Sequence, residues 1–245
     1  MINKNHNCDY MEIIIPTWFY GFDSVMYLIC AAIGFLLSYY FHKIYSISSE
    51  KKHVYIDLGF LLLSIGFLTL AITDVYSYIT FAKCLVSSHN CVLGLVDEVF
   101  GLEDFSYFLY FGLSISAYIL FITAFTRVEF KFLKYLLLAL VGYIILIVSF
   151  MPIKEDVDLW ITYHDYFHMT ALIMMIFISF KNFVYYSERK SLNSLLVAVS
   201  FSFISLFHLF HLFSFVSEWM YVFAHISLLT GFLILLMMVL RVKKK

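Results

Sequence analysis

The sequence predicts an all-α integral membrane protein: a seven-transmembrane-helix bundle with its N-terminus outside and its C-terminus in the cytoplasm. The composition, the spacing of apolar stretches and the distribution of charge predict this fold. Of the 245 residues, 63% are hydrophobic and 13% are charged, and the mean hydropathy is +0.91. Soluble domains have about 45–50% apolar and about 25% charged residues. A soluble core could not bury this much apolar surface.

Each predicted span is a continuous apolar stretch of the length that a bilayer requires, which is roughly 20 residues. The seven stretches are 24–44, 55–80, 105–126, 132–152, 160–180, 192–216 and 219–241. Backbone amides have no water partners in lipid, so the stretches must be helical or form a closed barrel. Their continuous apolar character excludes the alternating pattern of a barrel. Residues 1–23 are predicted to form an extracytoplasmic segment, 24–241 the transmembrane domain and 242–245 a basic cytoplasmic tail.

Basic residues predict the orientation of the bundle. With the C-terminus in the cytoplasm, 13 of the 16 Lys and Arg residues lie in cytoplasmic loops or the tail, as the positive-inside rule requires. Only Lys4, Lys83 and Lys154 then lie outside. Cys84 and Cys91 fall in one outer loop, where they either form a disulfide or remain free thiols. We therefore expect a multi-pass protein of the cell membrane.

The short loops exclude several classes of function. No loop is long enough for a separate kinase or DNA-binding domain, so nucleic acid is not an expected partner. The expected partners are the lipid bilayer and a lipid or small-molecule ligand. A retinal protein is excluded because positions 219–240 contain no lysine for a Schiff base. The chain also lacks the Asp/Glu-Arg-Tyr and Asn-Pro motifs of G-protein-coupled receptors. Any activity must therefore be in the membrane or at its surfaces.

Six ionisable residues from four spans are predicted to lie at one depth, roughly 6 to 12 Å from the outer ends of their helices at the helical rise. They are Asp74, His164, His168, His208, His211 and His225. Two pairs, separated by four and three residues, each place both imidazoles on one helical face. Ionisable groups inside a bilayer are costly and are functional candidates for that reason. Asp165 flanks the first pair.

This layer predicts a divalent transition-metal site, with zinc as the first choice. Imidazole nitrogen is a preferred ligand of zinc, copper and iron. The five histidines are the candidate metal ligands. Two alternatives stay open: the histidines form hydrogen bonds between helices, or His168 with His208 or His225 ligates haem b in an electron carrier.

The pair His164-xxx-His168 resembles, in its spacing, the histidine pair of a superfamily of seven-span hydrolases that includes alkaline ceramidases and the progestin and adipoQ receptors. Those proteins use three His, an Asp and a Ser around zinc. Here the pair is in span five, the polar layer is at the outer face, and no Ser-xxx-His pattern is found at an early span. The resemblance implies a membrane metal-dependent hydrolase in which Asp74 or Asp165 activates water for attack on an amide or ester. The competing hypothesis is a non-enzymatic sensor or receptor-like protein whose histidines titrate between about pH 5 and 8.

Overall fold

The computed structural model describes residues 16–19, 21–86, 94–126 and 159–243. Within these ranges the secondary structure is helical. A short 3₁₀ helix, Thr17–Phe19, precedes six α-helices: α1 Phe22–Ser48, α2 Lys51–Val86, α3 Gly94–Thr126, α4 Leu159–Arg189, α5 Leu192–Leu212 and α6 Glu218–Lys243. All six contain a segment long and apolar enough to cross a membrane. The all-helical fold class and the membrane character are thus confirmed for the described residues.

Each of the six helices corresponds to one predicted span. The remaining predicted span, 132–152, lies outside the described residues. The bounds also differ from the predicted ones. Helix α2 begins at Lys51 and ends at Val86, and α3 already begins at Gly94. An apolar stretch marks only the part of a helix that lipid surrounds, whereas the hydrogen-bonded helix continues past it into polar sequence. Whether Cys84 and Cys91 form a disulfide or remain free thiols is also untested, because Cys91 lies outside the described residues.

Two tight connections create helical hairpins. Ser49 follows α1 in the left-handed conformation, at φ 54°, and its N–H donates to the carbonyl of Tyr45. Lys190 has the same conformation after α4, at φ 51°, and its N–H donates to the carbonyl of Tyr186. Such residues terminate helices by satisfying a carbonyl of the last turn. Because only one further residue precedes the next helix in each case, α1 is antiparallel to α2, and α4 is antiparallel to α5.

The described helices pack as a closed ring in which each contacts its neighbour in chain order and α6 returns to α1. The interior is filled by large apolar side chains that are almost completely buried. The aromatic ones are Phe60, Phe67, Tyr118, Phe121, Phe201, Phe207 and Phe232. Aromatic rings bury large areas and dominate the energetics of such cores.

Helices α3 and α4 run in the same direction. Near the beginning of α4, the ring of Phe167 stacks on Phe111 of α3, with centroids 4.0 Å apart. Further along both helices, Phe125 of α3 contacts Phe201 of α5, and Ser179 of α4 forms a hydrogen bond with Ser202 of α5. Later residues of α3 and of α4 thus reach the same level of α5. Two consecutive described helices are therefore parallel, although the other consecutive pairs are antiparallel.

The first and last helices are also parallel. Tyr27 of α1 bonds His225 of α6, and Asp23 accepts from Tyr221, so both helices begin at the same end of the bundle. Trp18 and Trp219 lie beside each other at this end, with ring centroids 6.0 Å apart. Exposed Trp residues are typical of a membrane interface. We call this end, where α1 and α6 begin, the tryptophan end.

Candidate metal site

Three buried histidines meet where α4 faces α5, near the tryptophan end. His164, His168 and His211 each offer a ring nitrogen, and these atoms all lie within 4.8 Å of one another. We call these three residues the histidine triad. All are at least 95% buried.

Helical spacing explains how the triad forms. His164 and His168 are separated by one turn of α4, and their ring centroids lie 4.3 Å apart on the face that meets α5. The ring of His211, on α5, stacks on His168 with centroids 4.6 Å apart and an angle of 15° between the planes. The antiparallel α4–α5 hairpin therefore brings one predicted pair against one member of the other.

His211 is the anomaly of the site. Neither of its ring nitrogens has a hydrogen-bond partner among the described residues, although the side chain is 95% buried. A buried polar group that is left unpaired costs about 1–3 kcal/mol. Such a group in a native structure calls for a water, an ion or a catalytic role to explain it.

His208 lies beside the triad, and both of its nitrogens are engaged. Its Nδ1 is 3.0 Å from Nδ1 of His168, and its Nε2 is 2.9 Å from the hydroxyl of Tyr118 on α3. The side chain is completely buried. His208 is therefore bonded to a triad member on one side and to a third helix on the other.

His225 is also completely buried and fully hydrogen-bonded. Its Nδ1–H donates to the carbonyl of Tyr221, and its Nε2 accepts from the hydroxyl of Tyr27, both at 2.9 Å. These contacts fix the neutral tautomer, because a carbonyl can only accept. The Tyr221 hydroxyl in turn donates to Asp23. His225 lies 5.3 Å from His211 between ring centroids, but its nitrogens serve the contact between α1 and α6.

The two predicted catalytic carboxylates lie in different places. Asp165 has its Oδ1 3.4 Å from Nδ1 of His164, and its side chain is 59% exposed. Asp74, on α2, is half-buried and lies close enough to the tyrosines Tyr27 and Tyr221 to interact with them electrostatically. The structure thus brings Asp165 next to a triad member, whereas Asp74 lies on α2 within electrostatic range of Tyr27 and Tyr221.

Aromatic rings surround the triad. Phe207 contacts His211 and His168, at centroid distances of 4.7 and 5.8 Å, and Phe167 contacts His168 at 4.9 Å. Apolar walls lower the local dielectric, which strengthens electrostatic interactions within the site. The hydrophobic shell around a metal site also controls the access of solvent.

A second polar cluster links α1 and α2 at the opposite end of the bundle. Asp57 accepts from Ser38 at 2.5 Å and pairs with Nδ1 of His42 at 3.0 Å. The aspartate is buried, whereas the side chain of His42 is 68% exposed. Both carboxylate oxygens of Asp57 have hydrogen-bond partners, so a contact between α1 and α2 is sufficient to account for this cluster.

Sequence reasoning missed four residues of the polar layer: Asp23, Tyr27, Tyr118 and Tyr221. Tyr27 and Tyr118 lie in apolar runs where tyrosine is common, and Asp23 precedes a predicted span like many rim carboxylates. Nothing in the local sequence distinguishes them, because their partners are on other helices.

No protein-family model, no curated protein and no solved structure matches this chain.

Proposed function

We propose that this chain is a multi-pass membrane protein that binds one divalent transition-metal ion, with zinc preferred, through His164, His168 and His211. The observation that carries the proposal is His211, a buried imidazole that has no hydrogen bond to any described residue and that faces two other buried imidazoles. A metal ion would satisfy one of its nitrogens at a place where the described residues supply no donor or acceptor.

The donor set supports zinc. Zinc binds imidazole nitrogen at about 2.0–2.1 Å, so two ligating nitrogens in a tetrahedral site are about 3.3 Å apart. The triad nitrogens lie within 4.8 Å, so shifts of about an ångström would close them on an ion. The absence of thiolate and carboxylate from the triad favours zinc, copper or iron over calcium or magnesium.

The ring arrangement favours a bare ion over haem b, which remains the alternative cofactor. Two imidazoles that ligate one haem lie on opposite faces of the porphyrin. Nδ1 of His168 lies 3.0 Å from Nδ1 of His208, which leaves no space for a porphyrin between these two rings. Both nitrogens of His225, the other predicted haem partner of His168, are hydrogen-bonded. The rings of His168 and His211 are stacked at 4.6 Å, and Phe207 packs against both. This packing supports coordination of a small ion.

The proposal includes seven spans, with the N-terminus outside and the C-terminus in the cytoplasm. The parallel directions of α3 and α4 support a further crossing between them, and 132–152 is the apolar stretch available for it. The triad would then lie near the outer face of the cell membrane. Epitope tags at the two termini of the full chain test this topology: a protease added outside intact cells should remove only the N-terminal tag.

The metal proposal is tested on full-length protein purified in detergent, stripped with chelator and dialysed against zinc. We expect about one zinc per chain in the wild type by elemental analysis. His211→Ala should lose the zinc, whereas His225→Ala, which removes an equally buried imidazole from the same layer, should retain it. Equal retention by both variants, or a metal-free wild type, would contradict the proposal.

Metal-dependent hydrolysis is a second candidate function. Three histidine ligands leave one coordination position free, as in catalytic zinc sites, where the metal activates water or polarises a carbonyl. Asp165, next to His164, and Asp74 are the candidate acid–base residues. The test is hydrolysis of a chromogenic ester and a fluorogenic lipid amide by zinc-loaded protein. Turnover that His211→Ala abolishes would support an enzyme, and no turnover would favour a non-enzymatic sensor.

A further inference from the structure

We infer that His208 is a positioning residue rather than a ligand, and that together with Tyr118 it orients His168 and accepts its Nδ1–H when Nε2 binds the metal. The inference rests on the proposed metal site and deepens it. The observation is an unbroken hydrogen-bonded chain from α4 through α5 to α3, with contacts of 3.0 Å at His168–His208 and 2.9 Å at His208–Tyr118.

The contacts determine which atom of His168 is available. Its Nδ1 is bonded to His208, so Nε2 is the nitrogen left for a metal. A ligating Nε2 must carry a lone pair, and the neutral ring then has its proton on Nδ1. That N–H donates to Nδ1 of His208, whose own proton is therefore on Nε2 and donates to the Tyr118 hydroxyl oxygen.

The reverse direction of the same chain would prevent binding. If the Tyr118 hydroxyl donated to His208, the proton of His208 would be on Nδ1 and would donate to His168. The proton of neutral His168 would then be on Nε2, where it blocks the lone pair. Because a tyrosine hydroxyl can donate or accept, Tyr118 can accept from His208 when the metal binds. His168 then donates its Nδ1–H to a fixed partner, as ligating histidines commonly do.

Burial makes this chain an effective constraint. Tyr118, His208 and His168 are 97% buried or more, and Phe167 and Phe207 pack against both histidines. Water has little access to replace a lost partner. Partners of this kind typically change metal affinity by about 10–100-fold when mutated.

The matched control is another tyrosine of the same helix. Tyr110 lies eight residues before Tyr118 on α3 and is equally buried, but its hydroxyl bonds no histidine. Substituting phenylalanine removes one oxygen atom at either position. A difference between the two variants therefore reports the contact with His208 rather than the general loss of a buried hydroxyl.

The experiment is a zinc titration in competition with a chromogenic chelator, on the full chain in detergent. Tyr118→Phe should bind zinc about 10–100-fold more weakly than wild type and still reach one ion per chain, whereas Tyr110→Phe should match the wild type. Equal affinities for the two variants would overturn the inference. A wild type that binds no zinc would instead reject the proposed function, and this inference with it.

The visible absorption of bound cobalt shows whether His208 is a ligand or only a positioning residue. Because the protein is saturated with cobalt, the result does not depend on affinity. Cobalt-saturated Tyr118→Phe and His208→Leu should keep the visible bands of the wild type, because the ligand set is unchanged. Altered bands in His208→Leu would make His208 a ligand and overturn the inference. Thermal unfolding of the metal-free variants identifies any that fail to fold, and in that case the Tyr118→Phe titration decides.

Discussion

His211 and His225 are neighbours with the same burial and opposite environments. Their rings lie 5.3 Å apart in the same layer, and both are at least 95% buried. Both nitrogens of His225 are hydrogen-bonded to Tyr221 and Tyr27, whereas those of His211 have no partner among the described residues. Burial of an ionisable group alone therefore does not identify a ligand. The lack of hydrogen bonds to described residues is what distinguishes His211 as the candidate ligand.

The largest expected effect is stabilisation of the protein by zinc, which should need His211 and not His225. At a free zinc concentration of 100 times Kd, binding to the native state adds about 2.7 kcal/mol. We expect zinc to raise the unfolding midpoint of the wild type and of His225→Leu, and to leave that of His211→Leu unchanged. Thermal unfolding in detergent, with and without zinc, measures this. A zinc shift that persists in His211→Leu would break the comparison.

The next effect is on stability without metal. His225→Leu leaves the buried Tyr27 hydroxyl without its partner, so it should destabilise the protein by about 2 kcal/mol, although the Tyr221 carbonyl keeps its backbone bond within α6. His211→Leu removes a polar group that has no partner among the described residues, so it should be nearly neutral or stabilising. The measurement is thermal unfolding in chelator. Equal destabilisation by both substitutions would mean that His211 has a structural role like that of its neighbour.

The smallest effect concerns the cluster at the opposite end of the bundle. Asp57→Asn keeps an acceptor for one of Ser38 and His42 and loses the charge, so a destabilisation of about 1 kcal/mol is expected. Zinc affinity should not change, because the triad is at the tryptophan end. A chelator-competition titration of this variant checks it. Weakened zinc binding would indicate that the two ends are coupled.

Most of the described fold could be predicted from hydropathy alone. Six of the seven predicted spans overlap described helices, because lipid leaves a long apolar stretch little choice other than helix. The helix ends could not be predicted this way. Helices α2 and α3 extend well past their apolar parts. The left-handed residues that end α1 and α4 are Ser49 and Lys190, and neither is the glycine that usually marks such a helix end in a sequence.

The candidate site could be predicted only in part. Spacing along one helix is enough to place His164 and His168 on a common face. It does not specify how α5 is rotated against α4, which decides that His211 joins the triad and His208 turns to Tyr118. The roles of His208 and His225 depend on hydroxyls from α3 and α1, and such contacts between helices leave no pattern in the local sequence.

X-ray absorption at the zinc edge tests the central claim most directly, because it counts the ligands. On zinc-loaded full-length protein, the account predicts three imidazole nitrogens at about 2.0–2.1 Å, two in His211→Ala if any zinc remains, and three in His225→Ala. A shell made only of oxygen, or an imidazole count that falls in His225→Ala and not in His211→Ala, would contradict the histidine triad as the metal site.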